Sequence, residues 1–244
     1  MTRPIAPSSR VAEVIELLRR RGSKAGLASM ARYAIPSGRA FGVSMSQMKV
    51  LSKKLGADHR LAAELWASGW YEARMLACLL DDPALVTAAQ MDRWSREFDN
   101  WAIADTACFA LFDRTSDRWR MVEKWSRSPR EFVRRGAFAL LWGLTVHDKA
   151  APDAEFLKGL AVIERAATDQ RHWVKLAVNM ALRATGKRNA ALNRAAVASA
   201  RRLAGATDPT ARWIGSHALR ELTGAGVQGR ITRQKPRPKQ PRSA

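Results

Sequence analysis

Trp101 and Asp105 stand four residues apart in Asn100-Trp101-Ala102-Ile103-Ala104-Asp105. Four residues is slightly more than one helical turn, so on a helix the indole and the carboxylate share a face, with Cβ atoms about 5–6 Å apart. A carboxylate stabilises developing positive charge or takes a proton from water. An indole offers its π face to a cation and keeps water away. This pair is the leading candidate for chemistry in the chain. His59, His147, His172 and His217 have no nucleophile or metal-ligand partner at a sensible spacing. Cys78 and Cys108 sit in apolar helical surroundings without CxxC or Cys/His spacing, which points to reduced core residues and to neither a disulfide framework nor a metal site.

The elements that position the pair are helices. Val11, Val14, Ile15, Leu17 and Leu18 mark a first helix ending at Gly22, and a second runs from 24 to 35, stopped by Pro36. Further helices are expected at 45–55, 58–68, 70–81, 87–98, 100–113, 116–127, 130–147, 153–168, 171–186, 189–204 and 209–223, with no strand pair. The connections carry turn punctuation such as Gly56-Ala57-Asp58, Asp82-Pro83, Ser128-Pro129 and Asp208-Pro209. Short loops between helices of this length make antiparallel neighbours, hence stacked helical hairpins.

Lys and Arg number 42 against 22 Asp and Glu, a formal charge of +20. Arg230, Arg233, Lys235, Arg237, Lys239 and Arg242 lie in a Pro-rich tail without acids, so the body keeps 36 basic and 22 acidic residues, a charge of +14. A polyanion is the natural partner of such a surface. An anionic membrane is the rival, but no helix pairs a basic face with a strongly apolar insertion face. No apolar run approaches the roughly 20 residues of a membrane span, and the start lacks the hydrophobic core of a signal peptide. A cytoplasmic monomer is expected, with a disordered lead at 1–9, a repeat domain at 10–226 and a disordered basic tail at 227–244.

Comparing helices reveals a weak internal repeat. Arg74, Arg135, Lys175 and Arg212 each stand near the start of a helix, followed by small or apolar residues. Their spacing fits a HEAT-like period of about 30–40 residues. Each hairpin alone leaves an apolar face uncovered, so stacking gives an α-solenoid with a concave surface. The basic residues would line that surface as a groove for DNA phosphates.

These residues carry a family resemblance. Gly42-Val43-Ser44-Met45 with Leu51 and Lys54, Leu61 to Trp66, and Glu72-Ala73-Arg74-Met75-Leu76-Ala77 resemble the DNA alkylation repair family, the AlkD type of HEAT-like glycosylase. So do Met91-Asp92 with Trp94, Phe98-Asp99-Asn100-Trp101 with Asp105, Phe132-Val133-Arg134-Arg135 with Ala137, and Val174-Lys175 with Ala177-Val178-Asn179. The similarity spans residues 10–225. It implies that Trp101 and Asp105 match the tryptophan and aspartate essential for excising alkylated purines, and that Arg135 matches an active-site arginine. Arg74, Arg134, Lys175, Asn179 and Arg212 are the candidate DNA contacts, and Trp173 is a candidate cleft wall. A second family tryptophan that walls the cleft falls at Met180, which is a departure. Ser46 stands where proline is common and Tyr71 where relatives carry His.

The implied chemistry is physically sound. A purine alkylated at N3 or N7 is cationic and leaves without a general acid, through a sugar of oxocarbenium character. Asp105 would stabilise that charge and orient water, Trp101 would face the sugar, and Arg135 would anchor a flanking phosphate. No metal or organic cofactor is required. Two other classes compete: a relative that binds DNA non-specifically or at distorted sites without catalysis, and a HEAT-type scaffold for an acidic protein.

Overall fold

The computed structural model describes residues 9–233, which form fourteen α-helices, one 3₁₀ turn and no strand. Residues 1–8 and 234–244, which include most of the expected lead and tail, lie outside the described residues. The chain divides into two compact units between Asp148 and Lys149. The first holds α1 (Ser9–Arg21), α2 (Lys24–Arg32), α3 (Met45–Leu55), α4 (His59–Ala67), α5 (Tyr71–Leu80), α6 (Ala88–Ser95), α7 (Trp101–Ala110), the 3₁₀ turn Phe112–Arg114, α8 (Arg118–Trp125) and α9 (Glu131–His147). The second holds α10 (Asp153–Ala166), α11 (His172–Gly186), α12 (Ala190–Ala204), α13 (Pro209–Leu222) and α14 (Ala225–Arg233).

Packing follows the hairpin logic in each unit. Sequence neighbours pair, as α4 on α5, α8 on α9 and α12 on α13, and every second helix also touches, as α3 on α5, α5 on α7, α7 on α9 and α11 on α13. Contact between alternate helices is what stacked hairpins produce, because each hairpin covers its apolar face with the next. In the first unit the layers are filled by aromatics. Trp66 and Trp94 are buried and stack at 4.1 Å, Phe98 meets Trp66 edge-on, and Phe112 bridges Trp94 to Trp125.

Helix ends obey local chemistry. Asp58, Thr87, Asn100, Asn189 and Asp208 each accept the backbone amide three residues on, and Ser44 forms a reciprocal capping box with Gln47. Helix α2 stops at Arg32 rather than at 35. Ala34 takes the left-handed conformation (φ +53°), and the amides of Ala34 and Ile35 close back on Ala31 and Met30. Ile35 precedes Pro36, which disfavours helical backbone there, and the chain ends the helix with a glycine-type cap instead. Structure also continues past 226: Val227 and Ile231 are buried on α14, so a four-residue apolar spacing extends the fold into the start of the expected tail.

One acid holds the loop ahead of α3. Glu72, in the largely apolar α5, is wholly buried, and its Oε1 accepts the amides of Phe41 (2.9 Å), Gly42 (2.7 Å) and Val43 (3.2 Å). Gly42 has φ +79°, and a Cβ there would lie 2.4 Å from the Ser23 carbonyl oxygen, so only glycine passes. Removing the carboxylate strands several buried amides. Glu72→Ala is therefore expected to cost about 3 kcal/mol or more in urea or thermal unfolding. An unfolding midpoint close to wild type would show that the loop does not depend on this acid.

Candidate active site

Asn100 caps α7, so Trp101 is its first residue and Asp105 its fifth. On the neighbouring α9 the fifth residue is Arg135. Packing of α7 on α9 brings the two charges together in a forked pair, Arg135 Nε donating to Asp105 Oδ1 at 2.9 Å and Nη2 to Oδ2 at 2.7 Å. The Arg135 side chain is 4 % exposed and that of Asp105 17 %. The carboxylate thus keeps an open edge while the guanidinium is enclosed. Arg135 Cζ also lies 5.9 Å from the centre of the Trp101 ring, and the Trp101 indole N–H donates to the Tyr33 carbonyl at 2.9 Å. The left-handed cap at Ala34 presents that carbonyl. Trp101 and Asp105, singled out by type and spacing, and Arg135, implied by the family resemblance, form one cluster.

Two opposing effects act on Asp105. Burial pushes its carboxyl above the usual carboxylate range, and the charge and hydrogen bonds of Arg135 pull it back. Arginine has no neutral form at accessible pH, so the fork is made with the ionised acid. Arg135 is enclosed and committed to Asp105, which makes it a holder of the carboxylate. That differs from the phosphate anchor expected from sequence.

The remaining candidates separate into clamps and surface groups. Arg74, expected to line a phosphate stripe, is half-buried, binds the Glu97 carboxylate at 2.7 Å and lies over Trp66. It pins α5 to the end of α6. Asn179, expected to touch DNA, is buried, donating to the Ile214 carbonyl at 3.2 Å and accepting from Arg183. It is a structural amide between α11 and α13. Arg134 is half-buried, Lys175 lies over the Trp213 ring at 4.8 Å, and Arg212 is exposed. In the second unit Met180 is half-exposed, and Trp173 meets His172 edge-on at 4.8 Å.

Helix numbering refines the repeat. Arg74, Arg134, Lys175 and Arg212 are each the fourth residue of α5, α9, α11 and α13. Arg135 is one position out of that register, and this is what turns it toward α7. Sequence reasoning missed Glu72, whose signal was an acid inside an apolar helix, and Tyr33, whose contribution is a backbone carbonyl that no side-chain pattern reveals. It also missed a cavity of about 250 Å³ at the start of α7, with Arg39, Tyr71, Asp99 and Asn100 in its wall; Trp101 and Asp105 do not line it. Burial, Glu72 and Asp99 together raise the Tyr71 phenol, keeping it protonated. Among the described residues no group of His, Cys, Asp and Glu is placed to hold a metal ion.

Residues 14–222 match the family model described as DNA alkylation repair enzyme. The chain belongs to that family. A DNA repair function follows from membership at that level. A solved structure from "a new family of proteins related to the HEAT-like repeat DNA glycosylases with affinity for branched DNA structures" is similar, with TM-score 0.73 and 20 % identity over 91 % of this chain and 95 % of that one. At that identity the likeness concerns the fold, and it assigns this family member to the HEAT-like α-solenoids. No curated protein matches the chain. No described helix is long and apolar enough to cross a membrane.

In this member of the family the fork itself is testable. Arg135→Ala leaves a largely buried carboxylate without its partner and is expected to cost about 3–5 kcal/mol in denaturant unfolding. Adding Asp105→Ala should recover part of that loss, because the unpaired charge then disappears. Strictly additive single and double variants would show that the pair is not coupled.

Proposed function

We propose that this protein excises N3- or N7-alkylated purines from duplex DNA by hydrolysing the N-glycosidic bond, acting as a monomer without metal or organic cofactor. The observation that carries this is the Trp101–Asp105–Arg135 cluster. It consists of an ionised carboxylate with one open edge, held on its inner side by a fixed guanidinium and flanked by an indole. Such a base is already cationic while attached; it takes the bonding electron pair and departs neutral, so the protein need not supply a proton and the positive charge passes to the sugar. What the transition state lacks is a counter-charge for the sugar. Asp105 supplies it and directs the attacking water, with both oxygens still able to accept through their outer lone pairs. Trp101 presents its π face to the same cation. Arg135 keeps the carboxylate in place and ionised, so no reorganisation is needed as charge develops.

A second reading has its own support. Met180 replaces the aromatic expected at the cleft wall, and the similar solved structure belongs to proteins related to the glycosylases that have affinity for branched DNA. Binding of distorted DNA without base release is the form this alternative takes. An acidic protein as ligand is the outcome if duplex DNA is not retained even at low salt, where phosphate contacts are strongest.

Methylated duplex DNA incubated with the protein should release free 7-methylguanine or 3-methyladenine, with or without a chelator. Asp105→Asn should lower release by about 10²-fold or more while binding changes little. Equal release by both proteins would remove Asp105 from the mechanism, and release by neither would favour binding alone. Met180→Trp tests the departure: a large gain in rate marks it as limiting. The pH profile follows from the ionised form of Asp105, which is present at high pH and lost as pH falls through the folded-state value. Burial raises that value, so single-turnover release should decline on an acid limb lying above the ordinary aspartate value of about 3.9. A rate that is flat through this region would exclude a titrating carboxylate.

A further inference from the structure

In the second unit α11 and α13 lie side by side and carry a single acid between them, Glu221, which is paired with Arg183 and Lys187. All other formal charge on the two helices is positive. Arg212, Ser216 and Arg220 follow one another at four-residue steps and are exposed. They form one stripe on the outer face of α13, with a rise of about 12 Å from the first to the last. Beside the stripe, the rings of Trp213 and His217 lie 4.2 Å apart at 37° and are both half-exposed. His217 Nδ1 is 2.9 Å from the Trp213 carbonyl, which can only accept, so Nδ1 carries the proton and the imidazole is fixed against the indole. Lys175 reaches across from α11 to sit 4.8 Å from the Trp213 ring centre.

A fixed pair of rings flanked by cations, with Glu221 occupied by Arg183 and Lys187 and Asp208 by the helix cap, matches what an unpaired nucleotide requires. The base needs an aromatic face to replace the stacking it has lost, and the adjoining phosphates need positive charge. A closed duplex offers only the second of these, since its base faces are covered by their neighbours. We infer that the α11–α13 face binds an unpaired nucleotide of a DNA strand, the base against the Trp213–His217 platform and the flanking phosphates on Arg212 and Arg220. Lys175, over the Trp213 ring, adds charge to the same surface. The inference rests on the DNA-binding part of the function proposed above and does not involve Asp105. It gives the protein a preference for DNA with strand ends, gaps or branches over uninterrupted duplex.

The test uses the full chain and three labelled DNAs of matched sequence: oligo(dT), a forked duplex with unpaired arms and a blunt duplex, each titrated by fluorescence anisotropy. The wild type should hold the fork tighter than the blunt duplex. Trp213→Leu should weaken oligo(dT) and fork binding by about tenfold and leave the blunt duplex nearly unchanged, and Trp213→Phe should retain most of the affinity. Arg212→Gln with Arg220→Gln should flatten the salt dependence of oligo(dT) binding. A folded Trp213→Leu protein that keeps the wild-type preference for the fork overturns the inference, and so does a wild type that binds fork and duplex alike. Should Trp213→Leu fail to fold, His217→Ala, which alters only a half-exposed ring, decides in the same way. Binding to none of the three DNAs would instead overturn the DNA-binding reading itself.

Discussion

A charge taken out of water must be met by an opposite charge or by hydrogen bonds in good geometry, and Asp105 and Arg135 meet that requirement in each other. The acid sits on α7 and the base on α9, both largely enclosed, and each is tolerable only because the other is there. The fork therefore sets the register of two adjacent helices as well as the position of a reactive group. Trp101, one helical turn before Asp105, extends the constraint to the N-terminal region through its bond to the Tyr33 carbonyl. The helix pair, the left-handed cap of α2 and the indole are in this way coupled to one ion pair.

The repeats show how an equivalent position acquires different uses. The fourth residue of four helices is basic, yet Arg74 is consumed by Glu97 and Trp66, Lys175 lies over an indole, and Arg212 is open. Which of these a residue does is decided by what the adjacent helix offers it. Arg74 faces an acid at the end of α6, while on α13 Glu221 is taken by Arg183 and Lys187 and the Asp208 carboxylate caps the helix. A basic stripe inferred from spacing is thus only partly a surface property. Much of the excess positive charge nevertheless remains outside such clamps, in keeping with membership of a DNA repair family.

Several elements were legible because their signals are local. Helical periodicity placed the helices through 223 with short connections, and capping residues marked starts such as those after Asp58, Asn100 and Asp208. The Trp101–Asp105 pair is a statement about one helix face, and α7 does carry both. The helix ending at Arg32 escaped because Pro36 disfavours helical backbone at Ile35 and the chain closes the helix earlier, through the left-handed cap at Ala34. Helix α14 escaped because two apolar residues in a basic, Pro-rich stretch are too few to outweigh composition. Asn179 had been grouped with its basic neighbours, but an amide has two donors and an acceptor that a buried helix contact can satisfy as well as solvent can.

The sequence by itself determined the all-helical class, the hairpin order, the positive charge and the sharing of one face by an indole and an acid, because each depends on residue type and on spacings within about a turn. Only the tertiary structure decided that Arg135 meets Asp105, that Glu72 closes a loop of backbone amides, and that Trp213 and His217 stand together beside free arginines. Those outcomes depend on which helix packs against which and on how far each side chain is withdrawn from water, and burial of a charge or an amide is a property of the neighbours that enclose it.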